Sequence, residues 1–218
     1  MKILALSDRV VDSIYSLQIK ERFGDIDLVL SCGDLPFYYL EFVATMLNVP
    51  IYYVLGNHDR GPEYTASGQV KAAPRGCINL DGRVIEDRGL LIAGLEGSMR
   101  YNNWGPHQYT EWEMRAKIWR LWPRLLLNRV FKGRCLDILI THAPPYRIHD
   151  GPDLCHTGFR SFLEFMDRCK PRYLIHGHFH IRYSFKEPLV TTYNVTQVVN
   201  ACGYRVLSIE LLHNSRGI

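Results

Sequence analysis

The sequence has six cysteines, but no two of them stand in a C-x-x-C arrangement. This absence argues against a structural zinc knuckle and against a thioredoxin-like redox motif, because both need closely spaced thiols. We expect most of the cysteines to be buried free thiols, as in proteins of a reducing compartment.

A long hydrophobic run is also lacking at the start of the chain. The first apolar stretch ends at Leu6, which is too short for a signal peptide, and a membrane-spanning helix needs about 20 apolar residues. We therefore expect a cytoplasmic protein that makes no membrane contact.

Charge of one sign is not concentrated anywhere in the 218 residues. Lys and Arg exceed Asp and Glu by only 26 to 22, and the basic residues form no run of the kind that binds nucleic acid. This balance favours a small anionic substrate over a long nucleic-acid strand. The sequence leaves open whether the chain forms oligomers.

The sequence does contain short apolar segments that alternate with helical patterns and end in polar loops. This alternation predicts βαβ units, in which the loops meet at the carboxyl edge of a parallel sheet. The predicted central strands are Ile3–Ser7, Asp27–Ser31, Pro50–Leu55, Leu136–Ile140 and Arg172–His176. Helices are predicted near residues 14–23, 36–47, 110–127 and 158–169, a hairpin at 84–93, and a β-rich tail at 197–200 and 204–211.

The strand ends carry side chains that bind hard or borderline cations. These residues are Asp8, Asp34, Asn57, His142, His178 and His180. Carboxylates together with imidazoles suit zinc, manganese and iron. A single Asp or His after a strand is usually a capping residue, but a cluster of imidazoles beside two carboxylates is costly unless a cation holds it together.

These residues resemble the motifs of the calcineurin-like metallophosphoesterase family, in which D-x-H, G-D, G-N-H-[DE], a strand-end H and G-H-x-H follow one another. The matching segments, in the same order, are Asp8, Gly33-Asp34, Gly56-Asn57-His58-Asp59, Thr141-His142 and Gly177-His178-Phe179-His180. The resemblance implies an α/β fold, a four-layer α/β/β/α sandwich with two mixed β-sheets.

The resemblance also implies a binuclear site for two divalent or trivalent ions, manganese, iron or zinc. In it Asp34 bridges the ions, Asp8 and His180 hold one ion, and Asn57, His142 and His178 hold the other. Such a pair can generate a hydroxide for in-line attack on phosphorus. His58 is implied as the general acid that protonates the leaving oxygen.

One position departs from the family pattern, because Val10 stands where the first motif supplies a His. Three outcomes are open: the first ion binds more weakly with water in place of the imidazole, another group such as Asp12 reaches in, or only the second ion is kept. Arg9, beside this loop, is a candidate to bind a substrate phosphate together with Asn57 and His58.

We interpret residues 1–218 as a single phosphoesterase domain with a helical excursion near residues 100–130. Trp112, Trp119 and Trp122 fall near one face of that helix, and core packing is their expected use, with a substrate cap or a subunit interface as alternatives.

The function predicted from these residues is hydrolysis of a small phosphate ester, by a phosphodiesterase or phosphomonoesterase. The alternatives are a non-catalytic, metal-stabilised scaffold with a degenerate first metal site, motivated by Val10, and a nuclease. The low positive charge counts against the nuclease, because binding by phosphate neutralisation needs several Lys or Arg side chains.

Overall fold

A computed structural model describes residues 1–59, 62–64, 68, 70–179 and 189–210 of the chain. These residues form four helices, α1 (Ile19–Phe23), α2 (Phe37–Leu47), α3 (Glu111–Lys132) and α4 (Arg160–Cys169). They also form fifteen strands. The first eight are β1 (Lys2–Ser7), β2 (Leu28–Ser31), β3 (Ile51–Tyr53), β4 (Glu63–Tyr64), β5 (Val70–Lys71), β6 (Cys77–Asn79), β7 (Val84–Asp87) and β8 (Leu90–Leu95). The others are β9 (Ser98–Met99), β10 (Gln108–Tyr109), β11 (Ile138–Thr141), β12 (Tyr173–His176), β13 (Val190–Tyr193), β14 (Thr196–Asn200) and β15 (Gly203–Ser208).

Two mixed sheets carry the fold. The first has the order β15-β1-β2-β3-β6 and is parallel except for β15, which runs antiparallel to β1. The second has the order β13-β14-β12-β11-β8-β7 and is parallel at its centre, with an antiparallel strand at each edge. The parallel centres bring the carboxyl ends of consecutive strands to one edge in each sheet.

The two sheets face each other, and helices cover their outer faces. Side chains alternate along β1, so that Ile3 and Ala5 pack between the sheets while Leu4 and Leu6 pack with residues of α1 and α2. On the other side, Leu139 of β11 packs with residues of α3 and α4. The three apolar layers confirm the expected four-layer α/β/β/α sandwich with two mixed sheets.

Most predicted elements lie where the sequence placed them, and the hairpin at 84–93 is formed by β7 and β8. Two helices differ. The α1 helix begins at Ile19, because residues before it form turns closed by bonds from the amides of Ile14 and Tyr15 to the Val11 carbonyl. The α3 helix continues to Lys132, where Gly133 in a left-handed conformation ends it. The predicted capping box of Thr110 and Glu113 is present.

The expected core role of the tryptophans on α3 is wrong for two of the three. Trp112 and Trp119 are exposed, and only Trp122 packs partly against the core. The buried face of α3 is made instead by Met114, Ile118, Leu121 and Leu125, which repeat at helical spacing on the opposite side.

Among the helices that the structure describes, none is long and apolar enough to cross a membrane. This agrees with the low hydrophobicity of α3, the one helix here with the necessary length.

Candidate metal centre

The polar residues at the ends of β2, β3, β11 and β12 converge on one point between the two sheets. His142 Nε2 lies 3.0 Å from Asn57 Oδ1 and 3.3 Å from Asp34 Oδ2. The same nitrogen lies 3.1 Å from His178 Nδ1. Four of the six residues that the sequence singled out as metal ligands are therefore in mutual contact, although they come from distant parts of the chain.

The orientation of the His142 and His178 rings is fixed by the ring nitrogen that faces away from the centre. His142 Nδ1 lies 2.7 Å from the Cys32 carbonyl oxygen, and His178 Nε2 lies 2.7 Å from the Cys155 carbonyl oxygen. Because a carbonyl oxygen only accepts, each of these nitrogens carries the hydrogen. In the neutral rings the inner nitrogens, His142 Nε2 and His178 Nδ1, then carry lone pairs directed at each other.

The amide of Asn57 is oriented in the same sense. Its Nδ2 donates to the Tyr101 hydroxyl at 3.2 Å, which leaves Oδ1 turned toward His142. Two nitrogen lone pairs, one amide oxygen and one carboxylate oxygen therefore converge. The hydrogen-bond donors of His142, His178 and Asn57 point away from the centre. A cation satisfies such a set of lone pairs directly. These four ligand atoms thus fit a divalent metal ion.

The pKa shifts of the site residues also indicate that positive charge is favourable at this centre. Burial lowers the pKa of His142, but the Asp34 carboxylate outweighs burial and raises that pKa to about 9. Burial would raise the pKa of Asp34, yet the His142 imidazole holds it below its usual range. For His178, burial and the neighbouring His142 lower the pKa to about 3, so this ring stays neutral with a free lone pair. A metal ion would replace the proton on His142.

Asp8, the ligand that the family resemblance implies for a first ion, directly follows β1. Both of its carboxylate oxygens accept the His178 backbone N–H at 3.0 Å. Its own N–H donates to the Gly33 carbonyl at 3.1 Å, which ties the end of β1 to the turn after β2. Asp8 thereby holds the Gly177-His178 turn against the first sheet.

Three of the predicted ligands adopt a left-handed backbone conformation that is uncommon for residues with a side chain. The φ angles are 64° for Asp8, 55° for Asp34 and 64° for His178. Such conformations cost about 1 kcal/mol or more each and cluster at functional sites. The tight turns aim these three side chains back across the sheet edge.

Two glycines allow the backbone to approach the ligands. A Cβ at position 56 would lie 2.0 Å from Asp34 Oδ1, and a Cβ at position 177 would lie 1.8 Å from Ser7 Oγ. Any side chain at either position would displace the neighbouring strand end, because these distances are well inside van der Waals contact.

His58 lies beside the centre but directs its side chain elsewhere. Its backbone N–H donates to Asp34 Oδ1 at 2.8 Å, and its side chain is exposed along a cleft of about 220 Å³. The cleft is lined by Asp34, Leu35, Pro36, Phe37, His58, Asp59 and Glu63. The imidazole can therefore meet a substrate bound in the cleft without occupying a ligand position.

Asp59, the residue after His58, holds this loop. Its Oδ2 accepts the backbone N–H of Gly56 at 2.7 Å and of Asp34 at 3.0 Å. Burial raises the pKa of this carboxyl to about 6, against the effect of these bonds. The side chain links the turns after β2 and β3 and so positions both Asp34 and His58.

The loop that departs from the family motif lies at the edge of this arrangement. Arg9 and Val10 are exposed, and so is Asp12. Within the described part of the chain, Asp12 belongs to neither group of neighbouring ligand atoms that could hold a metal. His180, the other ligand expected at the first ion, lies outside the described residues.

Two residues beside the centre were not among the metal ligands expected from the sequence. Cys155 and His156 form, with His178, a second group whose ligand atoms lie within 4.8 Å of one another. They come from the long loop between β11 and α4, whose path the residue pattern does not predict. His156 follows Cys155 directly, and this adjacent pair of potential ligands was the signal available in the sequence.

A second pair of imidazoles supports the His178 turn. His149 Nδ1 lies 3.0 Å from His176 Nε2, and His176 Nδ1 lies 3.0 Å from the Gly177 carbonyl oxygen. Burial lowers the pKa of both rings, to about 4 for His149 and about 3 for His176. Neutral His176 therefore donates to Gly177 and accepts from His149, as expected of a buried supporting residue.

Comparison with known proteins agrees with this geometry. The family model described as calcineurin-like phosphoesterase matches residues 1–182. An uncharacterized protein of Haemophilus influenzae is 25% identical over 168 residues, which cover 72% of this chain and 71% of that protein. A UPF0046 protein of Caenorhabditis elegans is 28% identical over 155 residues, which cover 65% of this chain and 50% of that protein. The match thus spans half the length of the nematode relative.

Solved structures share the fold at low sequence identity. TT1561 of Thermus thermophilus matches 93% of this chain and 89% of its own, with a TM-score of 0.59 and 16% identity. GAP50, described as the anchor in the inner membrane complex of Plasmodium, matches 93% of this chain and 71% of its own, with a TM-score of 0.51 and 14% identity. At these identities the likeness shows the fold alone.

Proposed function

Because the chain belongs to the calcineurin-like phosphoesterase family, we propose that it is a metal-dependent hydrolase of small phosphate esters, either monoesters or diesters. One observation carries the proposal: acceptor atoms of Asp34, Asn57, His142 and His178 converge while their hydrogen-bond donors are turned outward.

The residues that would hold a metal ion are those four, with Asp8 and His180 as the ligands proposed for a first ion. A bound ion supplies Lewis acidity, which polarises phosphoryl oxygens and lowers the pKa of water. Manganese, iron and zinc all suit a set of two imidazoles, a carboxylate and an amide oxygen.

The chain's own residues supply the remaining steps. Asn57 and His58 are proposed to bind the substrate phosphate, and His58 lines the cleft together with Asp34. Protonated His58 gives its proton to the leaving oxygen, which relieves the negative charge that develops as the P–O bond breaks. Arg9, exposed at the rim, is proposed to meet a phosphate oxygen.

The cleft supports a small substrate. Its volume of about 220 Å³ is below the usual range for drug-sized ligands. Phe37 offers an apolar ring, and Glu63 accepts the Phe37 backbone N–H at 2.7 Å, which keeps this carboxylate at the wall. A phosphate ester with a compact alcohol or aromatic leaving group would fit.

Hydrolysis of chromogenic mono- and diesters with added manganese tests the proposal. We expect turnover in the native protein and loss to background in Asp34→Asn and His142→Ala, because each removes a ligand from the convergent set. Asp25→Asn serves as a matched control, since this carboxylate is exposed, precedes β2 and lies outside both ligand groups. Turnover that both ligand variants retain would rule the proposal out.

A metal-stabilised scaffold is the second candidate, and Val10 in place of an imidazole is the observation that favours it. Its first ion would bind too weakly for catalysis while the second would hold the strand ends together. The scaffold predicts that manganese raises the melting temperature of the native protein without hydrolysis of any ester. Ester turnover that rises with metal occupancy would exclude it.

A further inference from the structure

An apolar stripe runs along the solvent face of α3. It consists of Trp112, Ala116, Trp119, Pro123, Leu126 and Val130, which we term the outer seam. All six are exposed, and the four largest keep 71%, 60%, 51% and 70% of their surface in chain order. Isolated apolar residues on a surface need no explanation, but a contiguous stripe marks an interaction site.

The spacing of the outer seam is that of a helix-pairing surface. Its members alternate in steps of four and three residues, as the a and d positions of a heptad repeat do. The buried residues of the same helix show the same alternation, each about two positions after a member of the outer seam: Met114, Ile118, Leu121, Leu125 and Asn128. Two residues turn a helix by about 200°, so α3 has two apolar seams on opposite faces. The inner one fills the core.

The helix that carries the outer seam is well defined. It has 22 residues, a capping box at Thr110 and a left-handed glycine cap at Gly133. At 1.5 Å per residue the seam is roughly 27 Å long. This length gives a partner helix about five turns of contact on a preformed surface, which lowers the entropy cost of association.

Arginines flank the outer seam on both sides. Arg120 lies on one flank, and Arg115 and Arg129 on the other, at the e and g positions of the heptad. Arg115 is paired with Glu164 and lies over the Trp112 ring. In the part of the chain that the structure describes, Arg120 and Arg129 form no salt bridge. The flank of Arg120 also carries Glu113, which is paired with Arg100. Arg120 and Arg129 thus leave one arginine on each flank available to a negatively charged partner.

The same charges disfavour a second copy of this chain as the occupant. An antiparallel pair of outer seams would put Arg120 opposite Arg120 and Arg115 opposite Arg129 of the second copy. A parallel pair would put Arg115 opposite Arg120. Like charges at these positions destabilise pairing. Leu127 and Phe131, 48% and 68% exposed, widen the apolar surface at the C-terminal end of the helix. Binding to a lipid surface is therefore a separate outcome of the test below.

We propose that the outer seam docks an amphipathic helix of another protein, one with apolar residues at 3–4 spacing and Asp or Glu on both flanks. Trp112 and Trp119 are the anchors, because exposed tryptophans flanked by arginine dominate the energetics of many interfaces. The flanking arginines select the acidic helix and reject a basic one. The surface lies on the outer layer of the second sheet, away from the cleft.

A pair of synthetic helical peptides tests this proposal with the full chain. Both carry leucine at the a and d positions; one has glutamate at e and g, and the other has lysine there. We expect the acidic peptide to bind with a one-to-one stoichiometry in calorimetry and the basic peptide to bind at least tenfold more weakly. Added salt should weaken the acidic complex.

Variants locate the binding site. Trp119→Glu should weaken the acidic peptide at least tenfold while leaving the melting temperature and ester hydrolysis unchanged, because the side chain is exposed and remote from the cleft. Leu17→Glu is the matched control, since Leu17 is 82% exposed but lies on the loop before α1, on the other side of the sandwich. This variant should bind the peptide as the native protein does.

Four results would overturn the proposal. They are no binding of the acidic peptide, equal binding of both peptides, a chain that dimerises in sedimentation and becomes monomeric in Trp119→Glu, and binding to phosphatidylserine vesicles that this variant loses. The last two would assign the outer seam to a second copy or to a membrane. All of these readouts are independent of ester hydrolysis and so of the proposed catalytic function.

Discussion

His58 differs from its neighbours in what surrounds its side chain. Asn57 is buried against His142 and Asp34 contacts the same imidazole. The His58 imidazole instead borders the cleft, and its backbone N–H donates to Asp34. A side chain in this position can exchange protons with solvent and reach a leaving oxygen. The geometry therefore supports proton transfer rather than metal binding as its use.

Replacement of His58 by glutamine should separate these two uses. We expect kcat to fall by about 10²- to 10⁴-fold for an alkyl phosphate, the usual contribution of a general acid. For a nitrophenyl ester the fall should be much smaller, because that leaving group needs no proton. Steady-state kinetics with both esters measure the difference, and elemental analysis should find the metal content unchanged. Equal losses with both esters, or loss of metal, would contradict the assigned role.

Val10 is the residue whose replacement should strengthen the centre. It is exposed on the turn after Asp8, at the position where the family supplies an imidazole. We expect Val10→His to tighten the binding of the more weakly held ion at least tenfold, since an imidazole adds a direct ligand. Calorimetric titration with manganese measures this, with Val10→Ala as the control that adds no ligand. Identical titrations of the native and His proteins would mean that another group already completes the first site.

At the scale of elements, α3 is joined to the second sheet by a group of charged side chains as well as by its inner seam. Lys117 Nζ donates to Asp81 at 2.9 Å and to Glu96 at 3.3 Å. Glu96 also accepts from the Tyr109 hydroxyl and lies 3.2 Å from His107 Nδ1. Burial would raise the pKa of Glu96, but the bonds from His107 and Tyr109 and the Lys117 charge outweigh it and lower the pKa to about 2.

The depressed pKa of Glu96 sets the direction of a pH effect. Its contribution to stability is present above the ordinary value of 4.5 and is lost as pH falls from there toward 2. The pH effect of His107 has the opposite sign, because the bond to Glu96 raises the pKa of this imidazole. Its contribution to stability is present below pH 6.5 and is lost at higher pH.

Lys117→Met should destabilise the protein by about 3 kcal/mol at neutral pH, because it leaves two carboxylates without their buried cation. The loss should shrink as pH falls from 4.5 toward 2, the range over which the contribution of Glu96 to stability is lost. Lys132→Met is the control on the same helix, since its bridge to Glu86 is more exposed and should contribute at most about 1 kcal/mol. Urea unfolding at several pH values measures both. Equal effects of the two substitutions would contradict the buried role of Lys117.

On α3, hydrophobic periodicity alone does not identify the buried face. Periodicity shows which residues share a face of a helix. Because α3 has an apolar stripe on each of two opposite faces, periodicity does not show which face is buried. The prediction that the tryptophan face packs in the core was therefore wrong for Trp112 and Trp119. The strand ends were easier to predict, because parallel strands in one sheet must end at the same edge. Cys155 and His156 could not be placed, because no repeat governs the path of a long loop.

At the scale of the whole molecule, the first and last described strands are neighbours. Strand β1 pairs along its full length with β15, and the Met1 ammonium donates to the Ile209 carbonyl at 3.0 Å. The layer between the sheets contains side chains from both halves of the chain, including Leu30 and Ile140. That residues 1–218 form a single domain stays a prediction, and the shared layer of the described residues is the reason to expect it.

A single domain should unfold in one cooperative transition. We expect calorimetric and van't Hoff enthalpies to agree in a thermal scan. Ile140→Ala should cost about 2–5 kcal/mol by leaving a cavity between the sheets, and should shift the whole transition. Ile78→Ala, at a half-exposed position of β6, is the control and should change stability little. Two resolved transitions, only one of which moves in Ile140→Ala, would show separate domains.

The most direct test of the account is to count metal ions. Native protein and His142→Ala should be loaded with manganese or zinc, freed of unbound ions and analysed for metal per chain. The convergence of Asp34, Asn57, His142 and His178 predicts at least one ion per native chain and a clear deficit in the variant, with an intact fold by circular dichroism. Fewer than one ion per native chain with every metal, or equal metal in both proteins, would contradict it.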